Sequence, residues 1–310
     1  MNGGNGHSAI LSFAHAPRRV VSLVPSMTES LFDLGAGEAL VGVTEFCRPP
    51  DHAVPRLAVV GGTKSVDVGA VIGLEPEVVL ANQEENTREV VEALEAAGLK
   101  VWVTFPRSVD EAIQVLWALV RLFRLAHGGA TVQTLEMTVS WTASASAAEP
   151  VRAFVPIWEG DASSPRPWWM TVNRETYVHD VLAVCGAANV FGDRERRYPL
   201  AADLGETTPE EAPGADRRYP RVTLEEVVER APELILLPSE PFAYTENDAL
   251  RFAETFRGTP AADRGRIVWV DGSLLTWHGT RLGRALAELP SLIREGVDTY
   301  NAPPRGHCRR

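Results

Sequence analysis
Short β-branched runs recur along this chain, and most are followed by a helical stretch that opens on a capping residue and closes on glycine. In the first half the runs lie at residues 19–23, 39–43, 77–81 and 100–104. The helical stretches start at Ser26-Met27-Thr28-Glu29, which has capping-box spacing, at 68–74 behind Asp67, and at 87–97; Gly35 and Gly98 close two of them. This rhythm predicts an open parallel α/β sheet, because parallel neighbours need a crossover and a helix is the usual one. Residues 108–126, opened by Ser108-Val109-Asp110-Glu111, and 131–148 read as helix without any strand signal. The alternation resumes with a strand at 152–157, a helix at 176–185 ended by Gly186, and a helix at 224–230 behind Thr223 with Glu226 at the box position. A strand at 233–237, helix 247–256, strand 267–270 and helix 281–294 complete it.

The two halves also repeat each other. Gly35-Ala36 after a helix, then Pro76-Glu77-Val78-Val79-Leu80, recurs as Gly186-Ala187 and Pro232-Glu233-Leu234-Ile235-Leu236, at offsets of 151 and 156 residues in a chain of 310. The expected organisation is a loose N-terminus (1–17), an α/β lobe (18–107), a helical spine (108–150), a second α/β lobe (151–296) carrying a mobile surface insertion near 195–218, and a tail (297–310). The fold class is therefore α/β: two Rossmann-like lobes with mostly parallel sheets, joined by a long helical spine. Ligands of such sheets bind at the carboxyl ends of the strands, so a cleft between the lobes is the expected site.

Composition removes several functions. Formal net charge is −11 and no basic run exceeds two arginines, which argues against nucleic acid as a partner. No stretch approaches the roughly 18 apolar residues of a membrane-spanning helix. Cys47, Cys185 and Cys308 are odd in number and far apart, and residues 1–16 place no Lys or Arg ahead of a weakly apolar stretch. No disulfide framework and no export signal are read, and a cytoplasmic location is expected. Phosphate-loop, dinucleotide, nucleophile-elbow and zinc-protease motifs are missing. Cys47 and His52 alone fall short of a metal site, so neither a metal nor a required cofactor is expected.

The strand-end loops instead carry aromatic, amide and a few charged groups, which suit a large, flat, partly polar ligand. In the first half these are Ser26 at a helix start, Phe46, Thr63 with Lys64, Asn82-Gln83-Glu84, and Phe105. In the second they are Trp158, Trp168 and Trp169, Asn173, Tyr177, Glu240 and Phe242, then Trp277, His278 and Arg281. Trp102, Trp117 and Trp269 fall inside expected elements and read as core, and Trp141 reads as packing for the spine. Loop 277–281 is expected to face the ligand. Trp277 would stack, His278 and Arg281 would donate, and the first turn of the last helix would meet an anionic group.

Arg19-Val20-Val21-Ser22-Leu23-Val24-Pro25-Ser26 with Thr28-Glu29, then Leu34-Gly35, Val41-Gly42-Val43 and Gly61-Gly62, resembles the N-lobe of the helical-backbone metal-receptor superfamily, the class III periplasmic-binding-protein fold. Leu74 and Pro76-Glu77-Val78-Val79-Leu80, the Cys185-Gly186-Ala187-Ala188-Asn189-Val190-Phe191 run, and Tyr219-Pro220-Arg221-Val222-Thr223-Leu224-Glu225-Glu226 with Ala231-Pro232-Glu233 match its other landmarks. The resemblance covers about residues 18–293 and is nearest to the cobalamin-binding proteins of ABC importers. It implies two lobes joined by a long helix, a corrinoid or ferric chelate as ligand, and Phe46 and Trp277 among its contacts. Thr63 and Asn82 fall where cobalamin binders place tryptophans. Of the two glutamates that dock such proteins on a permease, Glu225 matches one, and Gly69 occupies the position of the other. The expected function is thus a non-enzymatic binding protein for a corrinoid or ferric chelate, a cytoplasmic offshoot of that group. Two alternatives are an enzyme on the same scaffold using Glu84, Glu85, His278 and Arg281, or a scaffold protein that has lost its ligand and whose cleft is filled by Trp168 or Trp169.

Overall fold
Val20, Val21 and Ser22 are fully buried, as the central strand of a parallel sheet covered on both faces requires. They form β1 (Val20–Ser22) in a computed structural model that describes residues 13–146, 149–160 and 166–295. In chain order come α1 (Pro25–Asp33), β2 (Leu40–Val43), β3 (Ala58–Val59), α2 (Val68–Gly73), β4 (Val78–Asn82), α3 (Arg88–Ala96) and β5 (Val101–Thr104). The five strands make an all-parallel sheet ordered β3-β2-β1-β4-β5. The winding direction reverses between β1 and β4, the place where open α/β sheets leave a crevice for ligands. Val21, Leu23, Val60, Val71, Val79 and Leu94 pack the core of this sheet and its helices.

Asp67 caps α2 as expected, accepting from the N–H of Ala70 (2.9 Å), and Thr87, read as the first residue of the next helix, is instead the cap of α3, accepting from the N–H of Val90 (3.4 Å). The expected capping box at 26–29 does not form. Pro25, with its φ preset for the first helical position, starts α1 directly after Val24, so Ser26 lies inside the helix rather than at its cap. Residues 108–150 hold the two helical stretches read in the sequence: α4 (Val109–Phe123), capped by Ser108, ends on Arg124 at φ +53°, and α5 (Gly128–Ala145) follows. Residues 147 and 148 of the expected second helix lie outside the described residues. Trp141 does not pack the spine; it is 69% exposed on α5.

The second half contains β6 (Val151–Phe154), β7 (Trp158–Glu159), β8 (Trp168–Met170), α6 (Tyr177–Val184), β9 (Ala187–Asn189), α7 (Leu200–Asp203), β10 (Arg221–Thr223), α8 (Leu224–Arg230) and β11 (Leu234–Pro238). After these come α9 (Asp248–Thr255), α10 (Pro260–Asp263), β12 (Ile267–Val270), α11 (Ser273–Thr276) and α12 (Leu282–Glu295). Its parallel sheet is ordered β12-β11-β6-β9, which repeats β5-β4-β1-β2 strand for strand, so the half-chain sequence repeat corresponds to a repeat of topology. Thr223 and Glu226 form the expected capping box of α8. The core here is aromatic, with Trp169 4.7 Å from Phe256, Phe154 5.5 Å from Phe191 and Tyr244 5.5 Å from Phe252.

Two further features depart from the sequence reading. An antiparallel sheet β10-β8-β7 flanks the second parallel one. The stretch near 195–218 is anchored rather than loose. It contains α7, and the buried Asp203 carboxylate accepts from Arg194 Nη1 (2.9 Å), Arg197 N (2.9 Å) and Arg221 N (2.7 Å). The chain divides into two compact units, one running to Met137 and taking in Trp277–Gly283, the other comprising Thr138–Thr276 and the chain from Arg284 on. Among the described residues, no helix is long and apolar enough to cross a membrane.

Candidate functional site
In the first unit, the loops at the carboxyl ends of β1, β2, β4 and β5 separate into a buried polar network and an exposed rim. Asn82, the last residue of β4, is 2% exposed. Its Oδ1 accepts from Glu84 N at 2.8 Å, and its Nδ2 lies 3.4 Å from Thr104 Oγ1 and 3.2 Å from His278 Nε2. Asn86 supports it, accepting from Asn82 N (2.8 Å) and donating to the carbonyls of Thr63 (3.0 Å) and Leu23 (3.3 Å). Burial pushes the pKa of His278 down to about 4, which leaves the ring neutral at pH 7 and able to accept from the Asn82 amide. Asn82 and His278, both expected at a ligand, are therefore joined to each other.

The segment Trp277–Gly283 is fastened to α1 in the same way. Thr280 N donates to Ser30 Oγ (3.1 Å), and Thr280 Oγ1 to Asp33 Oδ2 (2.6 Å). Gly279 has φ +105°, and a Cβ there would lie 2.3 Å from Ser30 Oγ, so only glycine allows this approach. Arg281 forks onto Glu29 at 2.9 and 2.6 Å, and its guanidinium carbon stands 5.0 Å from the ring centre of Trp277, which is 9% exposed. The N–H groups of Leu282 and Gly283 are bonded to the carbonyls of Gly279 and Thr280, so the turn expected to receive an anion is already satisfied. Ser26 is buried too, with no hydrogen-bond partner for its Oγ among the described residues. The exposed rim holds Phe46 (55% exposed), Lys64, Gln83 and Glu84, beside half-buried Thr63 and Phe105. Lys64 Nζ donates to the Glu84 carbonyl.

In the second unit the same positions are aromatic. Trp158, just after β6, is 45% exposed and meets Phe242 edge-on at 5.4 Å; Phe242 in turn leans on Tyr244 at 4.6 Å. Trp168 is half-buried against Gly160, where a Cβ would fall 2.4 Å from the indole nitrogen. The remaining expected contacts are interior groups. Trp169 is 2% exposed in the core, Asn173 donates to Arg217 O (3.1 Å), and burial pushes the Tyr177 hydroxyl pKa up. Glu240 accepts from Thr276 Oγ1 at 2.7 Å. Glu225 is exposed in the first turn of α8, and Gly69 is exposed in α2. Sequence reasoning missed Glu29, Ser30 and Thr104. Their partners lie 22 to 252 residues away, and no local pattern marks them.

These groups offer surfaces rather than chemistry. Cys47, near Thr28 and Thr44 at 3.1 and 3.2 Å, has its thiol pKa raised by burial, and Cys185 is pushed up to about 12. Among the described residues, no cluster of three His, Cys, Asp or Glu could hold a metal ion.

Residues 20–113 match the periplasmic binding protein family. The vitamin B12-binding protein of Photorhabdus laumondii is 27% identical over 239 residues, 73% of this chain and 74% of that protein. The cobalamin-binding protein of Halobacterium salinarum is 26% identical over 284 residues, 88% of this chain and 68% of that one. Among solved structures, the periplasmic vitamin B12 binding protein of Vibrio cholerae superposes with a TM-score of 0.68 at 18% identity, covering 90% of this chain and 97% of that one. The fold is that of the class III periplasmic binding proteins. A periplasmic heme-binding protein from Roseiflexus shares this class III fold with this chain, with a TM-score of 0.67 at 21% identity and coverage of 88% and 96%. The matched family and these relatives are binding proteins, not enzymes.

Proposed function
We propose that this non-enzymatic binding protein of class III fold takes a corrinoid or a ferric chelate, ferric porphyrin included, against the carboxyl-end loops of its parallel strands. One observation carries the reading: large aromatic faces stand in water at those strand ends, Phe46 after β2 and the Trp158–Phe242 pair after β6 and β11. Lys64, Gln83 and Glu84 on the rim beside Phe46 supply hydrogen bonds for amide or carboxylate substituents. The relatives named for cobalamin and heme support the ligand class. Thr63 and Asn82, small or buried where cobalamin binders place tryptophans, favour a ligand other than intact cobalamin, such as a corrinoid lacking its nucleotide arm.

Titrating the protein with cobinamide, cobalamin, hemin and a ferric hydroxamate, followed by the ligand's absorbance, tests this directly. Saturation by at least one of them is expected, with Phe46→Ala or Trp158→Ala weakening it by about 1–3 kcal/mol, the scale of one aromatic stacking contact. Absence of saturation by all four at millimolar concentration removes the reading. We also propose a reducing compartment and no permease partner, on two grounds: the buried free thiols of Cys47 and Cys185, and Gly69 at the place of one docking glutamate. Recovery of the native protein in an extracytoplasmic fraction overturns this part alone.

A further inference from the structure
The chain around α7 lines a half-open cavity of about 460 Å³ whose wall includes five arginines, Arg194, Arg196, Arg197, Arg217 and Arg230, in a molecule of net charge −11. Three of them are neutralised within the fold. Arg194 is buried against Asp203 (2.9 Å) and Glu226 (3.0 Å), Arg230 forks onto Asp193 (2.9 and 3.1 Å), and Arg217 reaches Glu195 (3.4 Å). Two are not. The Arg196 guanidinium carbon stands 4.2 Å from the ring centre of Tyr198, within the field of Asp216 but with no ion pair to it or to any other acid among the described residues, and the Arg197 side chain makes no ion pair or hydrogen bond among the described residues. Glu210 is the one lining acid left to face them.

An internal duplication sharpens this. Arg196-Arg197-Tyr198-Pro199 recurs as Arg217-Arg218-Tyr219-Pro220, and the two copies meet where Arg196 N donates to Arg217 O (3.0 Å). In the second copy Arg218 is closed onto Asp216, with Nε and Nη2 at 2.9 and 2.6 Å. In the first copy the acid at the equivalent place, Glu195, turns to Arg217 instead, and Arg197 keeps its charge. The backbone beneath is fixed: Asp203 holds Arg197 N at 2.9 Å and Tyr198 Oη donates to Asp216 O at 2.6 Å. Planar guanidinium forks on a fixed backbone match the paired oxygens of a phosphoryl group.

We propose that this cavity is a second binding site, separate from the strand-end loops, for a small phosphorylated molecule whose phosphoryl oxygens are gripped by Arg196 and Arg197. The cavity has room for more than a lone phosphate, within the usual range of small-molecule sites. Isothermal titration of the full chain with inorganic pyrophosphate, and in parallel with orthophosphate and a nucleoside diphosphate, tests it. Saturable binding of pyrophosphate is expected, weakened about tenfold or more by Arg197→Ala and by Arg196→Ala, the scale of one charge-assisted contact. Arg88→Ala, which removes one exposed positive charge on α3, should leave it unchanged. Tighter binding of the nucleoside diphosphate places an organic group in the remaining volume; equal binding assigns the site to the phosphoryl group alone. No saturation by any of the three up to about 10 mM overturns the proposal. So does an equal loss in Arg88→Ala and Arg197→Ala, which would mark diffuse attraction rather than a site.

Discussion

After β1 the chain enters α1 through Leu23 and Val24 alone, whereas after the topologically equivalent β6 it runs through residues 155–176, including β7 and β8, before entering α6. The strands paired with them diverge as well. β4 ends on Asn82, whose amide is tied to Thr104 and His278, while β11 ends on Pro238, and the chain beyond it presents Phe242 and Tyr244. One strand order, β2-β1-β4-β5 and β9-β6-β11-β12, thus supports two different endings: neutral polar groups locked together in the first unit, stacked aromatic rings in the second. Charge follows the same division. The first unit closes its strand ends with a neutral histidine and amides, and the second buries a full ion pair, Arg194 with Asp203. A repeated topology fixes where a ligand surface can form and leaves its chemistry to the residues that follow each strand.

The sharpest test of the contrast is Trp277→Ala. Trp277 is an interior group of the first unit, so its loss should cost about 3–5 kcal/mol of stability by denaturant unfolding. A near-neutral result would move it to the ligand surface. Next in size is Asp203→Ala, which strips Arg194 of one of its two acids inside the second unit; about 3 kcal/mol should be lost, with Glu226 keeping the effect from being larger.

The pH response should separate the units further. His278 has a folded pKa of about 4, below the unfolded value near 6.5, so the unfolded chain takes up the proton first as pH falls. Stability from this group is fully present above pH 6.5 and is lost as pH falls toward 4, by up to about 3 kcal/mol. His278→Gln should flatten that part of the stability–pH curve, and His179, whose pKa is also lowered by burial, remains in both proteins as the common background. A curve unchanged by the substitution would refute a buried neutral histidine. The smallest effect is expected at Trp158→Ala, where the indole already stands half in water: less than about 1 kcal/mol of stability, read from the same unfolding experiment. A loss as large as that at Trp277 would make the two aromatic sites equivalent and erase the contrast.

The fold was legible because its strands are short β-branched runs buried on both faces. The runs read at 77–81 and 267–270 differ from β4 and β12 by at most one residue at each end. The antiparallel sheet was not legible: Trp168-Trp169-Met170 is three residues long and follows a proline, so nothing in its local pattern distinguishes a strand from a loop. Among the expected contacts, the exposure of Phe46 and Trp158 could be read from position alone. Asn82 and His278 could not, since they are 196 residues apart and a polar residue at a strand end looks the same whether it awaits a ligand or a buried partner. The insertion near 195–218 looked loose because it is rich in charge and in proline and glycine. One buried carboxylate accepting three hydrogen bonds supplies the order that its composition conceals.

The fastening of Trp277–Gly283 to α1 also sets a timetable for the newborn chain. Residues up to Met137 leave the ribosome with Ser30, Glu29 and Asn82 lacking partners that are still about 140 residues from being made. At roughly 5–20 residues per second, the first unit waits on the order of ten seconds for its last piece. Throughout that interval the second unit is translated while the first stays unfinished, and each unit receives its last piece near the end of synthesis, Trp277–Gly283 for the first and then the chain from Arg284 on for the second.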